Sequence, residues 1–560
     1  MTHCFQGINL SWFDNSTPFA ALPTYVNAIE MSGNLMLYPF NQGAAAGRRG
    51  EIGIYGTKYA GLTIANNNFF RSLKYGVQGL HINKWGIIAN TFDGCGTAVS
   101  ASSSAFAFGS CHVQNNDIDD CSVGIQSLGG VLTTKGNNIN GTGMLNGSIG
   151  IAAVQTHFNI YNDQISNQMI GLVLQNNSIS PNIAHENVLD DNLIGTWLLG
   201  NNGVSQLKCN QYIGQAWSIL AMDGINPPTQ GMVDDQGFCD LTPDNQDPAD
   251  NVFVGTIMGV DIASMIADPF TYFHRDVPEL TPNIVNVLGA NAVNALCLTA
   301  LQEVDCDTWT EIPDGMIGES GDEKRVNELL AKKMGYYLRE TGDTAAALTL
   351  LFSVNTDYAK RLKIARAMDE KNYAEVQNLK NQLPDTEVEY MYYKELLNLQ
   401  LTVEEQGREL TDISPEEETL LRQIAASPTQ AAMDARVWLY VARGEQIYIT
   451  LPPLPDFVNN GMTQLQLQFK TDHSGNGLKV YPNPAAEQLN ISYRLANENA
   501  DATFYLYDVL GKRCTQSTLD GTTGELNLDL RNFAPGIYYY QLISNGTLIA
   551  SDKIAVVKTH

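Results

Sequence analysis

A repeat of about 23 residues is the sequence feature that most constrains how this chain can fold. Each copy has an apolar anchor, often preceded by Asn, and usually shows a small residue six positions later and an aliphatic residue at the seventh. The anchors are Phe70, Phe92, Ile118, Ile139, Ile165, Leu189 and Tyr212. A period this short has no room for a helical hairpin or a βαβ unit, whereas short strands joined by tight turns fit one coil per period.

The composition of the copies indicates how such coils pack. Asn and Asp tolerate left-handed backbone angles and suit the corners. Apolar residues between the corners face inward and stack on their equivalents one rung away, about 4.8 Å apart. Cys4, Cys95 and Cys121 share one offset and are predicted to form an inward column of small residues. The pattern predicts a parallel β-helix over residues 1–265 and resembles the right-handed β-helix proteins of the pectate-lyase-like superfamily, a resemblance of fold only.

The first eight residues, MTHCFQGI, follow the same pattern as IDDCSVGI at 118–125. Met1 then occupies an anchor position, Gly7 and Ile8 align with their counterparts in that copy, and Met1 lies three periods of 23 before Phe70. Gly53 would mark an intermediate coil. We therefore expect residue 1 to lie part-way through a coil, with further coils and a signal peptide upstream in the natural protein.

Two carboxylates in the coils are candidate catalytic residues. Asp93 and Asp119 both follow an anchor, so they would be neighbours on successive coils. A close pair of carboxylates raises one pKa, which suits a general acid beside a base, or else forms a cation site. The alternative is that both are corner residues, since the same column continues into Asn and Ser. Arg71, His81 and Lys84 could supply the base of a polysaccharide lyase, although no specific spacing pairs them.

Charge and length restrict the classes of function. A chain of 560 residues is expected to form several domains. Its formal charge of −27 argues against nucleic acid, because phosphate binding needs Lys and Arg. No apolar stretch reaches the roughly 18 residues of a membrane span. The acidic block from Val233 to Gly315 is either a solvated face or able to bind Ca²⁺, and no other cofactor or metal is predicted.

The chain has nine cysteines and no C-x-x-C motif, which disfavours a zinc site. An exported protein would form disulfides. The connectivity stays open, and the local pairs to consider first are Cys297 with Cys306 and Cys209 with Cys239.

From Glu319 the apolar period changes to 3.6 residues, which predicts a helical region at 319–446. An acidic, irregular connector at 266–318 precedes it, and a linker at 447–475, marked by LPPLP, follows. Segments such as YLRETGDTAAALTLL resemble tetratricopeptide helical hairpins, which would bind a partner or act as a rigid spacer. The predicted helices are 322–341, 343–354, 357–369, 372–383, 386–406, 415–426 and 429–443.

The segment 476–560 alternates short strands with Gly and Pro turns, which predicts a small Ig-like β-sandwich. Its motifs VYPNPA, YDVLGK and APGIYYY resemble the type A C-terminal sorting domain of the type IX (Por) secretion system of Bacteroidota. The resemblance implies that the secretion translocon and a sortase-like peptidase are partners. The matching residues are targeting or structural, and they are Pro482, Asn483, Pro484, Asp508, Gly511, Lys512, Gly536, Tyr538 and Lys553.

These observations predict a secreted or outer-membrane-surface protein built from a β-helix, a helical region and an export tail. The first functional hypothesis is a non-enzymatic surface protein that binds glycans or other surfaces along the β-helix. The alternative is a carbohydrate-active enzyme, either a polysaccharide lyase or a glycoside hydrolase. A third hypothesis is that the helical region binds a partner. Because β-helices host both binding proteins and enzymes, the fold does not choose between the first two.

Overall fold

The chain forms two compact units, Met1–Pro452 and Pro453–His560. No helix that the computed structural model describes is both long and apolar enough to cross a membrane. The described residues are 6–11, 24–26, 30–32, 52–57, 62–65, 68–82, 84–103, 111–141, 143, 147–178, 181–225, 228–239, 246–287, 292–297, 317, 323–445, 447, 451, 470–471, 477–481, 485–486, 488–494, 502–508, 513–519, 523–531, 533–544 and 547–558.

The first unit contains a parallel β-solenoid of about nine turns, which confirms the predicted parallel β-helix. Three parallel sheets run along it and are named sheets 1, 2 and 3. The strands of sheet 1 are Gln6–Ser11, Ile52–Thr57, Tyr75–Ile82, Thr97–Ser103, Val123–Leu128, Ile149–Val154, Ile170–Gln175, Ile194–Leu199, Trp217–Met222, Val260–Met265 and Ile284–Asn286. Those of sheet 2 are Thr24–Val26, Leu62–Ala65, Gly86–Ile88, Cys111–Gln114, Val131–Lys135, His157–Tyr161, Asn182–His185 and Ser205–Lys208. Those of sheet 3 are Glu30–Ser32, Phe69–Arg71, Thr91–Asp93, Asp117–Asp119, Asn138–Asn140, Gln164–Ser166, Val188–Asp190, Gln211–Ile213 and Val252–Val254.

Residues at equivalent positions of consecutive sequence repeats pair with each other in the sheets. Consecutive anchors pair across sheet 3, as Phe92 does with Ile118. The aliphatic residues seven positions later pair across sheet 1, as Val99 does with Ile125. Both sets are buried in one continuous core. Each period of the sequence is therefore one turn of the solenoid.

The number of coils before Phe70 differs from the prediction. Ile8 pairs with Ile54, and Ile54 pairs with Val77, so the expected alignment of Gly7-Ile8 with later copies is confirmed. The prediction of three periods is wrong, because the chain from Ile8 to Ile54 makes a single turn of twice the usual length. Equal spacing alone did not distinguish two coils from one coil with an insertion.

The acidic segment 266–318 is also more regular than predicted. Thr271–His274 pairs with Val293–Leu296, and Ile284–Asn286 extends sheet 1. A short 3-10 helix, Pro278–Leu280, lies between them. The solenoid therefore continues past residue 265, and residues 298–316 lie outside the described part of the chain.

The corners of the coils carry residues with positive φ, as predicted for Asn and Asp. Asp120, Asn167 and Asp191 occupy this position after sheet 3, with φ between 50° and 55°. Glycines fill the equivalent position in other coils, as at Gly94.

A ladder of buried amides follows the corner after sheet 2. Each member after the first accepts hydrogen bonds on a side-chain oxygen from the backbone N–H and, in most rungs, the Nδ2 of the preceding member. One rung is a carboxylate, Asp163, which accepts from the backbone N–H and Nδ2 of Asn137 at 2.7 and 2.8 Å, and from the Thr134 hydroxyl. The ladder is Asn68, Asn90, Asn116, Asn137, Asp163, Asn187, Asn210 and Asn251.

A second inward column follows the corner after sheet 3. Cys95 and Cys121 are buried here, and the Cys95 backbone N–H lies 3.3 Å from the Cys121 sulfur. Gln168 and Asn192 continue the column through a hydrogen bond from the Gln168 backbone to the Asn192 side chain. The predicted inward column is confirmed for these residues, and Cys4 lies outside the described part.

The disulfide pairings considered from the sequence are wrong. Cys239 bonds to Cys297, with their Cα atoms 5.6 Å apart. Parallel stacking brings them together, because the strand Gly237–Cys239 lies beside Thr271–His274, which pairs with Val293–Leu296. Cys209 is also disulfide-bonded. Sequence proximity misled here because contacts in a solenoid join residues one coil apart.

Seven helices form the region after residue 322, close to the predicted bounds. A π-helical turn, Tyr337–Thr341, extends the first one, and a tetratricopeptide-type arrangement stays a prediction. The helices are α1 (Glu323–Tyr336), α2 (Thr344–Ser353), α3 (Asp357–Asp369), α4 (Tyr373–Lys380), α5 (Val388–Glu405), α6 (Pro415–Ala425) and α7 (Ala431–Arg443).

The helical region packs along the solenoid. Met433 and Val437 of α7 join Leu80, Leu128 and Val154 of sheet 1 in one buried cluster. This contact favours neither a free-standing spacer nor an isolated partner-binding domain.

Charged residues fix α1 against sheet 2. Lys208 contacts Asp247 at 2.5 Å and Glu328 of α1 at 3.3 Å. Arg325 lies 2.7 Å from Asp247, and Lys332 lies 3.0 Å from Glu328. All five side chains are at most 17% exposed, so solvent screens this network weakly.

The second unit has two four-stranded antiparallel sheets that share one buried core. Its Ig-like topology stays a prediction, and most of the linker predicted at 447–475 lies outside the described residues. The strands are Lys470–Thr471, Gly477–Tyr481, Gln488–Arg494 and Thr523–Asp529 in one sheet, and Ala502–Asp508, Arg513–Leu519, Gly536–Ser544 and Thr547–Val556 in the other.

Candidate functional site

Two of the three solenoid faces are covered at least in part. On sheet 1 even outward residues such as Trp197 and Leu220 are fully buried, and α7 packs on the earlier strands. On sheet 2 the outward His157 ring meets Tyr358 of α3, with Nε2 and the hydroxyl 3.4 Å apart. These contacts restrict the access of a large ligand to the middle strands of sheet 1 and to sheet 2 around His157.

Sheet 3 presents its outward side chains to solvent. From Phe69–Arg71 to Gln211–Ile213 each strand has one buried central residue between two outward ones, and the outward positions are half-buried or exposed. The first outward column is polar over the four rungs from Thr91 to Gln164, and Val188 separates these from Gln211. Its exposed members are Asp117, Asn138, Gln164 and Gln211. The contacts that the helical region makes among described residues lie on sheets 1 and 2 and the corner between them. Among the described residues, sheet 3 is thus the solenoid face with the most exposed outward side chains.

The two candidate carboxylates lie on this face. Asp93 and Asp119 are paired in register on adjacent strands, as predicted. Arg71, one rung earlier, donates from Nε to Asp93 at 2.8 Å, and this pair is partly solvated. Asn140, one rung later, donates to Asp119 at 3.5 Å, and Ser166 donates to Asn140 at 3.3 Å. The column is a ladder of hydrogen-bonding groups along the rod.

Burial raises the pKa of Asp119, and the neighbouring carboxylates Asp120, Asp117 and Asp93 raise it further, while the hydrogen bond from Asn140 opposes them. Asp93 has a cation beside it. A carboxyl group with a raised pKa suits the role of a general acid. Whether either residue is catalytic stays a prediction.

The other proposed lyase residues do not converge with these. His81 lies at the end of a sheet 1 strand with its ring 6.4 Å from that of Trp438 in α7. Lys84 pairs with Asp369 of α3 at 3.3 Å. Only Arg71 reaches the carboxylates, and it is an ion-pair partner of Asp93. Among the described residues, no group of three or more His, Cys, Asp or Glu side chains is placed to hold a metal ion.

The first outward column of sheet 3 was missed in the sequence. It falls one position before each anchor, whereas the candidate carboxylates Asp93 and Asp119 fall one position after it. Polar residues at that offset, including Asp117, Asn138 and Gln164, were the available signal.

The sorting-motif residues are only partly described. Pro482–Pro484, Gly511 and Lys512 lie outside the described residues. Gly536 begins a strand, and buried Tyr538 donates from its hydroxyl to the Ala534 carbonyl at 3.0 Å. Asp508 ends a strand, and Lys553 lies on the last one.

The fold thus defines a β-solenoid protein with a helical region packed on it and a separate C-terminal β-unit. Residues 479–557 match the family described as "Secretion system C-terminal sorting domain". The chain therefore carries a type IX secretion sorting domain, which indicates export to the cell surface or secretion and contact with the secretion machinery.

Two further comparisons add nothing on function. A search of curated proteins gave no match. One similar solved structure is Pseudomonas fluorescens alkylpurine DNA glycosylase AlkC bound to DNA containing an abasic site analog. It is 14% identical, covers 46% of this chain and 83% of that chain, and has a TM-score of 0.12, which is too low to support an argument.

Proposed function

We propose that this exported protein binds an extended polysaccharide or surface glycan along sheet 3. The observation that carries the proposal is that, among the described residues, sheet 3 has exposed outward side chains on at least four rungs, whereas those of sheet 2 are buried or half-buried and those of the middle strands of sheet 1 are buried. Side chains on this face repeat every rung, about 4.8 Å apart, so a long polymer would meet the same kind of group repeatedly. Amide and carboxylate groups bind hydroxyls through hydrogen bonds.

Binding of the full chain to a polysaccharide panel tests this proposal. We expect the triple variant Asp117→Ala, Asn138→Ala, Gln164→Ala to lose at least tenfold in affinity for any bound polysaccharide, because three adjacent rungs lose their polar groups. The matched control carries Gln377→Ala, Asn378→Ala and Asn398→Ala on the exposed surface of the helical region. Equal binding by both variants would place the ligand elsewhere.

A carbohydrate-active enzyme is the second candidate, and the pairing of Asp119 with Asp93 favours it. In this case Asp119, with its raised pKa, would act as the acid and Asp93 as the second carboxyl group of the site. Hydrolysis of acidic polysaccharides by the wild type should then fall at least a hundredfold in Asp119→Ala and little in Asp117→Ala. The absence of activity in both the wild type and Asp119→Ala would contradict a catalytic role for this carboxylate pair.

A further inference from the structure

Two free cysteines lie next to each other in the inward column that follows sheet 3. Cys95 and Cys121 are both buried, and each comes two residues after one of the candidate carboxylates. They occupy adjacent coils, because the Ser122 backbone N–H donates to the Cys95 carbonyl at 3.0 Å. Two thiols at equivalent places in neighbouring coils are candidates for a covalent cross-link.

The backbone spacing at this point suits a disulfide. Thr97 pairs with Val123 in sheet 1, and the Gly94 backbone N–H donates to the Asp119 carbonyl at 3.0 Å. Hydrogen bonds therefore hold the two coils together on both sides of the cysteines. Neighbouring strands lie about 4.8 Å apart, and a disulfide usually joins Cα atoms that are about 4.4–6.8 Å apart. The coils thus have a spacing that a disulfide can bridge.

The two side chains are already in contact. The Cys121 sulfur lies 3.3 Å from the Cys95 backbone nitrogen, and the Cys121 thiol donates a hydrogen bond to the Cys95 sulfur. The Cys95 sulfur also accepts from the Leu73 backbone N–H and lies 3.7 and 3.8 Å from the carbonyl oxygens of Phe70 and Asp93. Thiols form weak hydrogen bonds, so a change of rotamer exchanges these contacts for a bond to Cys121 at little cost.

We propose that Cys95 and Cys121 form a disulfide in the exported protein. The oxidant is a disulfide, of a small molecule or of a thiol oxidase, since compartments outside the cytoplasm are oxidising. One cysteine thiolate attacks an oxidant sulfur and releases a first thiolate, and the other cysteine then loses its proton, attacks the mixed disulfide and releases a second. The two protons pass to the released thiolates, so two thiols become one disulfide and the oxidant disulfide becomes two thiols. The exchange precedes closure of the coils, because both cysteines are buried in the folded chain.

The cross-link acts on the candidate carboxylates. It joins the two coils two residues beyond Asp93 and Asp119, so it holds these rungs of sheet 3 at a fixed spacing. Cys111 is the internal comparison, because it is also a buried free thiol and its partner on the next strand is Leu132 rather than a cysteine.

Alkylation of the exported full chain under denaturing, non-reducing conditions tests the proposal. Trypsin releases residues 85–135 as one peptide, because this segment follows Lys84 and contains no Lys or Arg before its last residue. The peptide holds Cys95, Cys111 and Cys121. We expect a single alkyl group, on Cys111, and a mass that is lower by two hydrogen atoms. A fully reduced chain would carry an alkyl group on each of the three cysteines.

Cys121→Ser is the matched variant, and its peptide should carry alkyl groups on both Cys95 and Cys111. Refolding the reduced wild type with oxidised glutathione should give the same singly alkylated peptide as export does. The proposal is overturned if the exported wild type carries three alkyl groups, or if its single group lies on Cys95 or Cys121. Because the groups are counted on the unfolded chain, a variant that does not fold still gives a result.

Discussion

Asp163 is the one acidic residue among the described members of the buried amide ladder. Burial raises its pKa to about 7, while hydrogen bonds from Thr134 and Asn137 oppose this. An Asn at this rung could donate as well as accept, as its neighbours do. The native protein thus places an ionisable group where the other described rungs have a neutral one.

Replacing that acid should change the pH dependence of stability. The pKa in the folded state exceeds the unfolded value near 3.9, so below pH 4 no stability is lost, and stability falls as pH rises from about 4 to about 7. The full loss would be roughly 4 kcal/mol at about 1.4 kcal/mol per pH unit. We expect Asp163→Asn to be more stable than the wild type at pH 8 and similar to it at pH 4, as measured by urea unfolding.

The reverse change on the next rung is the control. Asn187→Asp should add a second buried acid and steepen the fall in stability between pH 4 and 7. Identical pH slopes for the wild type and Asp163→Asn would show that Asp163 is not a buried neutral acid.

At the scale of the element, the small residue of each repeat is explained by close packing between coils. A Cβ added to Gly171 would lie 2.6 Å from the Gly195 carbonyl oxygen and 2.6 Å from Cδ2 of Leu189. Both contacts are far inside van der Waals distance. The residue is small because the backbone of sheet 1 packs here against Leu189, an anchor side chain of sheet 3.

Gly171→Ala should therefore destabilise the solenoid by about 1–3 kcal/mol, the usual range for overpacking. The comparison is Gly86→Ala on sheet 2, where an added Cβ would find nothing closer than 3.4 Å. We expect the denaturation midpoint to fall for the first variant and to change little for the second. Equal midpoints would mean that the coils can separate to accept the methyl group.

At the scale of the whole molecule, the solenoid and the sorting domain lie in different compact units. The unit Met1–Pro452 holds the solenoid and the helices, and the matched sorting domain lies within the second. Deleting Pro453–His560 should abolish surface display in the native host, measured as cleavage by protease added to intact cells. The sheet 3 triple variant should still be displayed, because its changes lie outside the sorting domain. Surface display of the deletion variant would contradict the assigned role of the tail.

Much of the fold could be predicted from the sequence because its contacts repeat. Anchors such as Ile118 and Ile139 are separated by one period, and each period closes one turn, so periodicity alone gave the register. The helices followed from a 3.6-residue period and from Pro and Gly at their ends. The tail was recognised from motifs around Pro482 and Tyr538. The early double-length turn was missed because an insertion of one period leaves the spacing unchanged.

The sequence by itself therefore determined the stacked coils, the seven helices and the C-terminal sorting domain, because each depends on local periods or short motifs. Only the tertiary structure decided which solenoid faces stay open, how Cys239 finds Cys297 and which charges meet beside Lys332. Those features join segments far apart along the chain, as Lys208 and Glu328 do, and no local pattern records such a contact.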